Sequence, residues 1–266
     1  MPVSVYILAY NEIDKIEAAV NSVLWADEIV VVDSGSTDGT AERARELGAR
    51  VVQESFAGFG AQRNAALKHV THDWVFSLDS DERCTPGARD EILGIVSDPS
   101  SASVWFVPRR NWFFGRWIMH SGWHPDYRQP QLFRKGSMRY TEEVVHEGYE
   151  VIGGAKVGHM RSSIWQVPFR NLAEALNKAN RYSTLGAQKL ADRGVKGSMT
   201  KAVLHGLVAF LRHYVIKLGF LDGRAGFAIA CANLHGTFWR YAKLVELQAS
   251  SLAPPPTAPV GRKSAS

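Results

Sequence analysis

The chain has 266 residues, 45% apolar and 21% charged, a composition that buries a core and excludes a disordered chain. Its two cysteines, Cys84 and Cys231, supply neither a disulfide framework nor a zinc ligand set, so a reducing compartment is expected. A formal charge of +5 suits an anionic partner, while the opening M-P-V-S-V-Y-I-L-A-Y-N-E lacks the basic segment of a signal peptide and no long uncharged apolar run predicts a spanning helix.

The first half alternates predicted strands and helices. Val3 to Ala9 is a β-branched apolar run, and Ile13, Ile16, Val20, Val23 and Leu24 then recur at helical spacing. Ile29 to Val32 predicts a second buried strand that stops at Asp33. A Ser/Gly turn leads into a short helix over Thr40 to Leu47, ended by Gly48. Strands are predicted at Val51–Val52, Trp74–Leu78 and Ser103–Val107, with helices over Gln62–Val70 and from Pro86 onward. This order predicts an α/β fold with a mostly parallel, doubly wound sheet. From Asn111 to His159 the chain is rich in Trp, Arg, His and Gly, with short strands at Gln131–Arg134, Met138–Tyr140 and Val144–His146. Three helical stretches follow Pro168 up to about Gln248, broken near Gly194–Gly197 and Gly219–Gly223. The Pro- and Ser-rich tail reads as disordered.

Two strand ends carry the chemistry. In an open α/β sheet ligands lie outside the strand carboxyl ends, where Asp33 can accept from a nucleobase N–H or a ribose hydroxyl. The structural reading is that Asp33 and Asp38 cap the following helix. Asp79-Ser80-Asp81-Glu82 follows the strand W-V-F-S-L. A D-x-D in extended backbone turns both carboxylates to one face, and hard cations such as Mg²⁺ or Mn²⁺ take such oxygens together with phosphate. Arg63-Asn64, after Gly58-Phe59-Gly60, is placed near a helix start, where a guanidinium suits phosphate. The full G-x-G-x-x-G is absent.

In combination, V-S-V-Y-I-L-A-Y-N-E, V-V-V-D-S-G-S-T-D-G-T, Q-R-N-A-A-L and F-S-L-D-S-D-E resemble the family 2 glycosyltransferases of GT-A fold, over about residues 2–160. The later segments N-W-F-F-G-R-W, G-W-H-P-D-Y-R, Q-L-F-R, V-V-H-E and K-L-G-F-L-D-G are similar to the subgroup that adds glucose to lipopolysaccharide inner core. The resemblance implies a Rossmann-like GT-A domain over residues 1–160, a helical extension over 161–248 and a tail over 249–266. It also implies inverting transfer from a nucleoside diphosphate sugar, UDP-glucose by family expectation, to a lipid-linked glycan, with no nucleic-acid partner. Ala9, Tyr10 and Glu12 would line the base pocket, Asp33 would bind uracil or ribose, and Arg63 would approach the nucleotide. Asp79 would face the ribose and diphosphate, and Asp81 would be the main carboxylate for Mg²⁺ or Mn²⁺, with His159 completing the shell. Two departures stand out: Ser34 replaces the usual second Asp, and the Q-x-x-R-W signature of processive synthases is missing. Single addition is therefore expected.

Inversion needs a group that removes the acceptor hydroxyl proton. Glu147 in V-V-H-E-G lies where the family usually carries that base, oriented by His146, and Asp126 is the runner-up. V-V-V-D-S-G-S-T also resembles the nucleophile loop of haloacid-dehalogenase-like phosphatases, but Gly35 stands where their second Asp is required. A non-catalytic nucleotide-sugar-binding protein is the other alternative, opposed by the retained Asp79, Asp81 and Glu147.

Ala202 to Leu221 reads as an amphipathic helix. Lys201, His205, Arg212, His213 and Lys217 fall on about half the circumference, and Val203, Leu207, Phe210, Leu211, Tyr214 and Leu218 mainly on the rest. That pattern suits a helix lying in an anionic membrane surface and implies a cytoplasmic protein peripheral on the inner face of the cytoplasmic membrane. The alternative is that the apolar face packs on the GT-A core and never meets lipid.

Overall fold

The computed structural model describes residues 1–141 and 148–249. The first half runs β1 (Val3–Ala9), α1 (Ile13–Asn21), β2 (Glu28–Asp33), α2 (Thr40–Glu46), β3 (Arg50–Gln53), α3 (Phe59–His69), β4 (Trp74–Asp79), β5 (Glu82–Arg83) and α4 (Pro86–Ser97). There follow β6 (Val104–Phe106), β7 (Arg109–Phe113), β8 (Arg116–Trp117), β9 (Pro130–Arg134), β10 (Met138–Tyr140), β11 (Tyr149–Val151), β12 (Val157–His159) and β13 (Ile164–Gln166). The helices α5 (Leu172–Asp192), α6 (Met199–Leu211) and α7 (Gly223–Ala249) complete the chain, with a π-turn at Arg212–Ile216 and a 3₁₀ turn at Gly219–Asp222 between the last two.

The main sheet has the order β12-β6-β9-β4-β1-β2-β3. β1 pairs in parallel with both β2 and β4, and β2 with β3. Alternate residues of β1 enter two different cores, which is why the strand reads as an unbroken apolar run. Val5 and Ile7 pack with Trp74, Phe76, Leu78 and the apolar face of α4, whereas Tyr6 packs with Val30, Val32, Phe133 and Tyr140. Thr85 caps α4 by accepting from the Ala88 amide at 3.1 Å, with Pro86 in the first turn.

The doubly wound expectation holds for the central strands, and β9 departs from it by inserting antiparallel between β4 and β6. A second sheet, β5-β13-β7-β8, was not foreseen, because two of its strands have only two residues. It carries sheet structure past residue 160, and α5 begins only at Leu172. The expected strand at Val144–His146 lies outside the described residues, as does the tail from residue 250.

Of the apolar face expected from the sequence, Val203, Leu207, Leu211 and Leu218 stand exposed, whereas Phe210 and Tyr214 turn toward Phe227 of α7. Helix α6 turns Ala202 and Gly206 inward against α7, where a Cβ on Gly206 would stand 3.2 Å from the Leu234 carbonyl oxygen. His205 stacks on Tyr241 at 4.6 Å, and His213 Nδ1 lies 2.9 Å from the Ser121 carbonyl oxygen. The residues left exposed are Val203, Leu204, Leu207, Val208 and Leu211, followed by Val215 and Ile216, the last 74% exposed. The apolar face therefore does not pack on the GT-A core. Regular α-helix ends at Leu211, and no described helix is long and apolar enough to cross a membrane.

Asp222 fixes the helical extension to the rest of the protein. Fully buried, it accepts from the amides of Met119 (3.1 Å) and His120 (3.0 Å) and from Ser121 Oγ (2.8 Å). A side chain at Gly226 would strike the Gly219 carbonyl oxygen, so the turn closes only over glycine. Beside this clamp Phe113 and Ile118 pack on Ala225 and Ile229.

Candidate active site

Parallel register brings the sequence-predicted strand ends into one rank. Ala9 lies opposite Asp33, and Leu8 lies opposite Asp79. The chain runs from β1 outward through β2 and β3, then crosses to β4 on the other side of β1. The crevice at these carboxyl ends is thus a topological switch point, the usual ligand position in open α/β sheets. Tyr10 stands at its mouth, 61% exposed. Glu12 pairs with Lys15 at 3.0 Å.

Asp33 organises its own turn. It is fully buried and accepts from the amides of Gly35 (3.1 Å) and Ser36 (2.9 Å), from Gln53 Nε2 (2.8 Å) and from Ser36 Oγ. All these donors belong to the turn itself and to β3, so the carboxylate is engaged in holding the turn. Asp38 accepts from the Thr40 and Ile13 amides, the first residues of α2 and α1, while Gly39 holds the cap position of α2.

Arg63 differs from its expected place. α3 already begins at Phe59, so Arg63 sits in its second turn, buried to 3% exposure. Its guanidinium donates to both oxygens of Asp79 at 2.8 and 3.1 Å and to Ser77 Oγ at 2.9 Å, and lies 5.5 Å from the Tyr140 ring centroid. Burial pushes the Asp79 carboxyl up, but Arg63, with Arg109 and Arg128 beyond it, outweighs this and holds it below the usual carboxylate range. Arg63 thus sets the charge and direction of Asp79.

Asp81 has the opposite environment. Burial, reinforced by the carboxylates of Glu82 and Asp79, pushes its pKa up to about 7 against the opposing charges of Lys178 and Lys15. Gln166 Nε2 reaches its two oxygens at 3.2 and 3.4 Å, and the Val167 amide donates to its carbonyl at 2.9 Å.

Glu82 supports the whole turn. It is fully buried and forms an ion pair with Arg109, itself 2% exposed. Its Oε2 accepts from the Asp79 amide at 3.0 Å and from Gln131 Nε2 at 2.8 Å. Sequence reading quotes Glu82 as part of the acidic tetrapeptide without a role. Its partners lie 27 and 49 residues away, and the only sequence signal was an acid directly after the D-x-D.

Two further candidates, His159 and Asp126, have partners of their own. His159 is exposed, stacks flat on Phe106 at 4.9 Å and meets the Tyr127 ring edge-on at 5.2 Å. Among the described residues no three His, Cys, Asp or Glu side chains group to hold a metal, so His159 does not join Asp79 and Asp81 in such a set. Asp126 pairs with Arg128 at 2.8 Å. Glu147 and His146 lie outside the described residues.

The sequence profile of glycosyl transferase family 2 matches residues 4–155, more than half of the chain. The chain belongs to glycosyl transferase family 2. It is similar to the lipopolysaccharide core biosynthesis glycosyltransferase LpsC of Rhizobium meliloti (strain 1021), 29% identical over 96% of both chains. An uncharacterized glycosyltransferase of Rickettsia typhi is 28% identical over 94% of this chain and 88% of its own. Among solved structures, Mycobacterium tuberculosis glucosyl-3-phosphoglycerate synthase, in complex with Mn²⁺, uridine diphosphate and glucosyl-3-phosphoglycerate, is 31% identical over 41% of this chain and 44% of its own, with a TM-score of 0.37. Staphylococcus aureus TarS covers 94% of this chain and 92% of its own at 16% identity and a TM-score of 0.47.

The protein is a glycosyltransferase, and its D-x-D turn has the donor set for a hard divalent cation. Two carboxylates follow a buried strand, one kept ionised by arginine and the other raised by surplus negative charge that a cation would neutralise. A divalent ion bound by such a pair takes its other ligands from diphosphate and water. The residues present fit the group.

Proposed function

We propose that this family 2 enzyme transfers a single sugar, with inversion, from a nucleoside diphosphate donor to a lipid-linked glycan of lipopolysaccharide-core type. The observation that carries the reading is the Asp79–Asp81 pair at the end of β4, inside the switch-point crevice and braced by Arg63, Glu82 and Gln166. Tyr10, Ala9, Glu12 and the turn held by Asp33 form the base-binding side, and UDP-glucose is the expected donor. Asp81 and Asp79 hold Mg²⁺ or Mn²⁺, which when bound supplies charge stabilisation for the departing diphosphate. Glu147 takes the proton from the acceptor hydroxyl, with Asp126 as the alternative base. The similarity to LpsC along both chains supports a core-type acceptor. A donor panel followed by nucleotide release, with lipopolysaccharide core extract as acceptor, tests it. UDP-glucose turning over fastest, and only with Mg²⁺ or Mn²⁺, is the expected result; release of inorganic phosphate in place of a nucleoside diphosphate contradicts it.

The helical extension serves this chemistry by resting on an anionic membrane surface. Between Asp192 and Glu246 the sequence has eight Lys and Arg residues and one acid, Asp222, which is fully buried. The exposed face of α6 and its π-turn is apolar, and Lys201, Arg212 and Lys217 lie exposed along the same stretch. That combination matches headgroup charge and acyl surface together. Flotation with vesicles containing anionic phospholipid is expected to recover the protein at low salt and to lose it at high salt or in Leu207→Glu/Ile216→Glu. No recovery at low salt contradicts membrane contact.

A further inference from the structure

We propose that the aromatic cavity between the β7–β8 turn and residues 167–172 is the subsite for a sugar ring of the acceptor. This assignment rests on glycosyl transfer at the β4 carboxylates. The cavity measures about 300 Å³, at the small end of ligand pockets, and its walls include Trp112, Phe113, Phe114, Phe169 and Arg170. Phe113, 8% exposed, forms its back and meets Phe169 at 6.0 Å and Trp123 at 5.5 Å. Phe114 and Trp112 remain 50% and 37% exposed. Phe114 and Gly115 have φ of 52° and 80°, a primed hairpin turn. For a bulky side chain this is an uncommon backbone state, and it leaves the ring outside the core.

Position separates this cavity from the donor side. Its walls come from the second sheet and the start of α5, whereas the nucleotide-facing residues come from β1 and β2. The connection to the reacting centre is short. Val167, in the cavity wall, donates its amide to the Asp81 carbonyl, and the neighbouring Gln166 reaches the Asp81 carboxylate. Lys178, one of the cations acting on Asp81, lies 5.3 Å from the Phe169 ring centroid. Phe113 also packs with Ala225 and Ile229 of α7, so one wall of the cavity touches the helical extension. A pyranose presents an apolar C–H face and a hydroxyl rim. Aromatic rings beside Arg170 and Asn171 offer the matching surface, and Arg170 is anchored by Asp14 at 2.7 Å and Glu174 at 3.4 Å.

The test uses the full-length enzyme, UDP-glucose with Mn²⁺, and core oligosaccharide released from lipopolysaccharide by mild acid. Saturation-transfer NMR is expected to show magnetisation passing from aromatic protons to the oligosaccharide. Phe114→Ala and Trp112→Ala are each expected to raise the acceptor KM by about tenfold, a ring-stacking effect, while the donor KM stays within about twofold. Phe114→Tyr should restore the acceptor KM. Unchanged acceptor KM in both alanine variants, or no saturation transfer to the oligosaccharide, overturns the subsite. A wild type that neither transfers sugar nor hydrolyses the donor instead overturns the glycosyl-transfer reading and this subsite with it.

Discussion

Asp81→Asn is expected to abolish sugar transfer and, in the metal-free protein at pH 8, to raise the melting temperature. Both effects have one cause. The folded protein holds the Asp81 proton up to about pH 7, whereas the unfolded chain releases it near the ordinary carboxylate value of 3.8. Between those values the folded state binds more protons, so stability falls as pH rises through the window, and above it the charged carboxylate is a net cost. That difference between the two values sets a ceiling of about 4 kcal/mol. Partial solvent access reduces this, and an increase of about 2–5 °C is the expected size. Asparagine still accepts from Gln166 and carries no charge. The difference should close toward pH 4, and added Mn²⁺ should raise the wild-type melting temperature without moving the variant. Turnover should fall by at least about a hundredfold, since the site loses an oxygen anion for the ion that stabilises the leaving diphosphate. A variant that melts below wild type at pH 8 and still turns over contradicts the assignment.

Arg109→Met should cost about 3–5 kcal/mol of folding free energy, because it leaves the fully buried Glu82 carboxylate without its cation. In a chain of this size the loss lowers the melting temperature by about 10 °C. The double variant with Glu82→Gln should recover part of it. The amide oxygen still accepts from the Asp79 amide and Gln131 while the stranded charge is gone. Urea denaturation of wild type, single and double variants checks this. Equal stability of wild type and Arg109→Met would mean that Glu82 is served by water or another cation.

These two variants mark where sequence reading stops. Asp33, Asp79 and the helices after Pro168 were legible because their signals are local: an apolar run that ends in an acid, or a 3.6-residue period. Glu82 was not, since its partners come from β7 and β9. Arg63 was legible as a cation for phosphate near a helix start but not as the buried holder of Asp79, because α3 starts a turn earlier than the Gln62 boundary. In α6 the outward apolar face was legible, and the inward turn of Phe210 and Tyr214 was not. Ala202 and Gly206 let α6 approach α7 closely and leave its leucines and valines outside, a close approach between helices that periodicity does not encode. The motif K-L-G-F-L-D-G was legible only as a resemblance. Its physical content is the buried Asp222 clamp and the tight Gly219–Gly226 approach.

The central claim is that Asp79 and Asp81 form a metal-dependent donor site. Calorimetric titration of UDP-glucose into the full chain, with and without Mn²⁺, tests it most directly when repeated on Asp81→Asn. The expected result is tight binding by wild type with Mn²⁺, at least about tenfold weaker binding without it, and no Mn²⁺ effect in the variant. Equal affinity in all four titrations would contradict it.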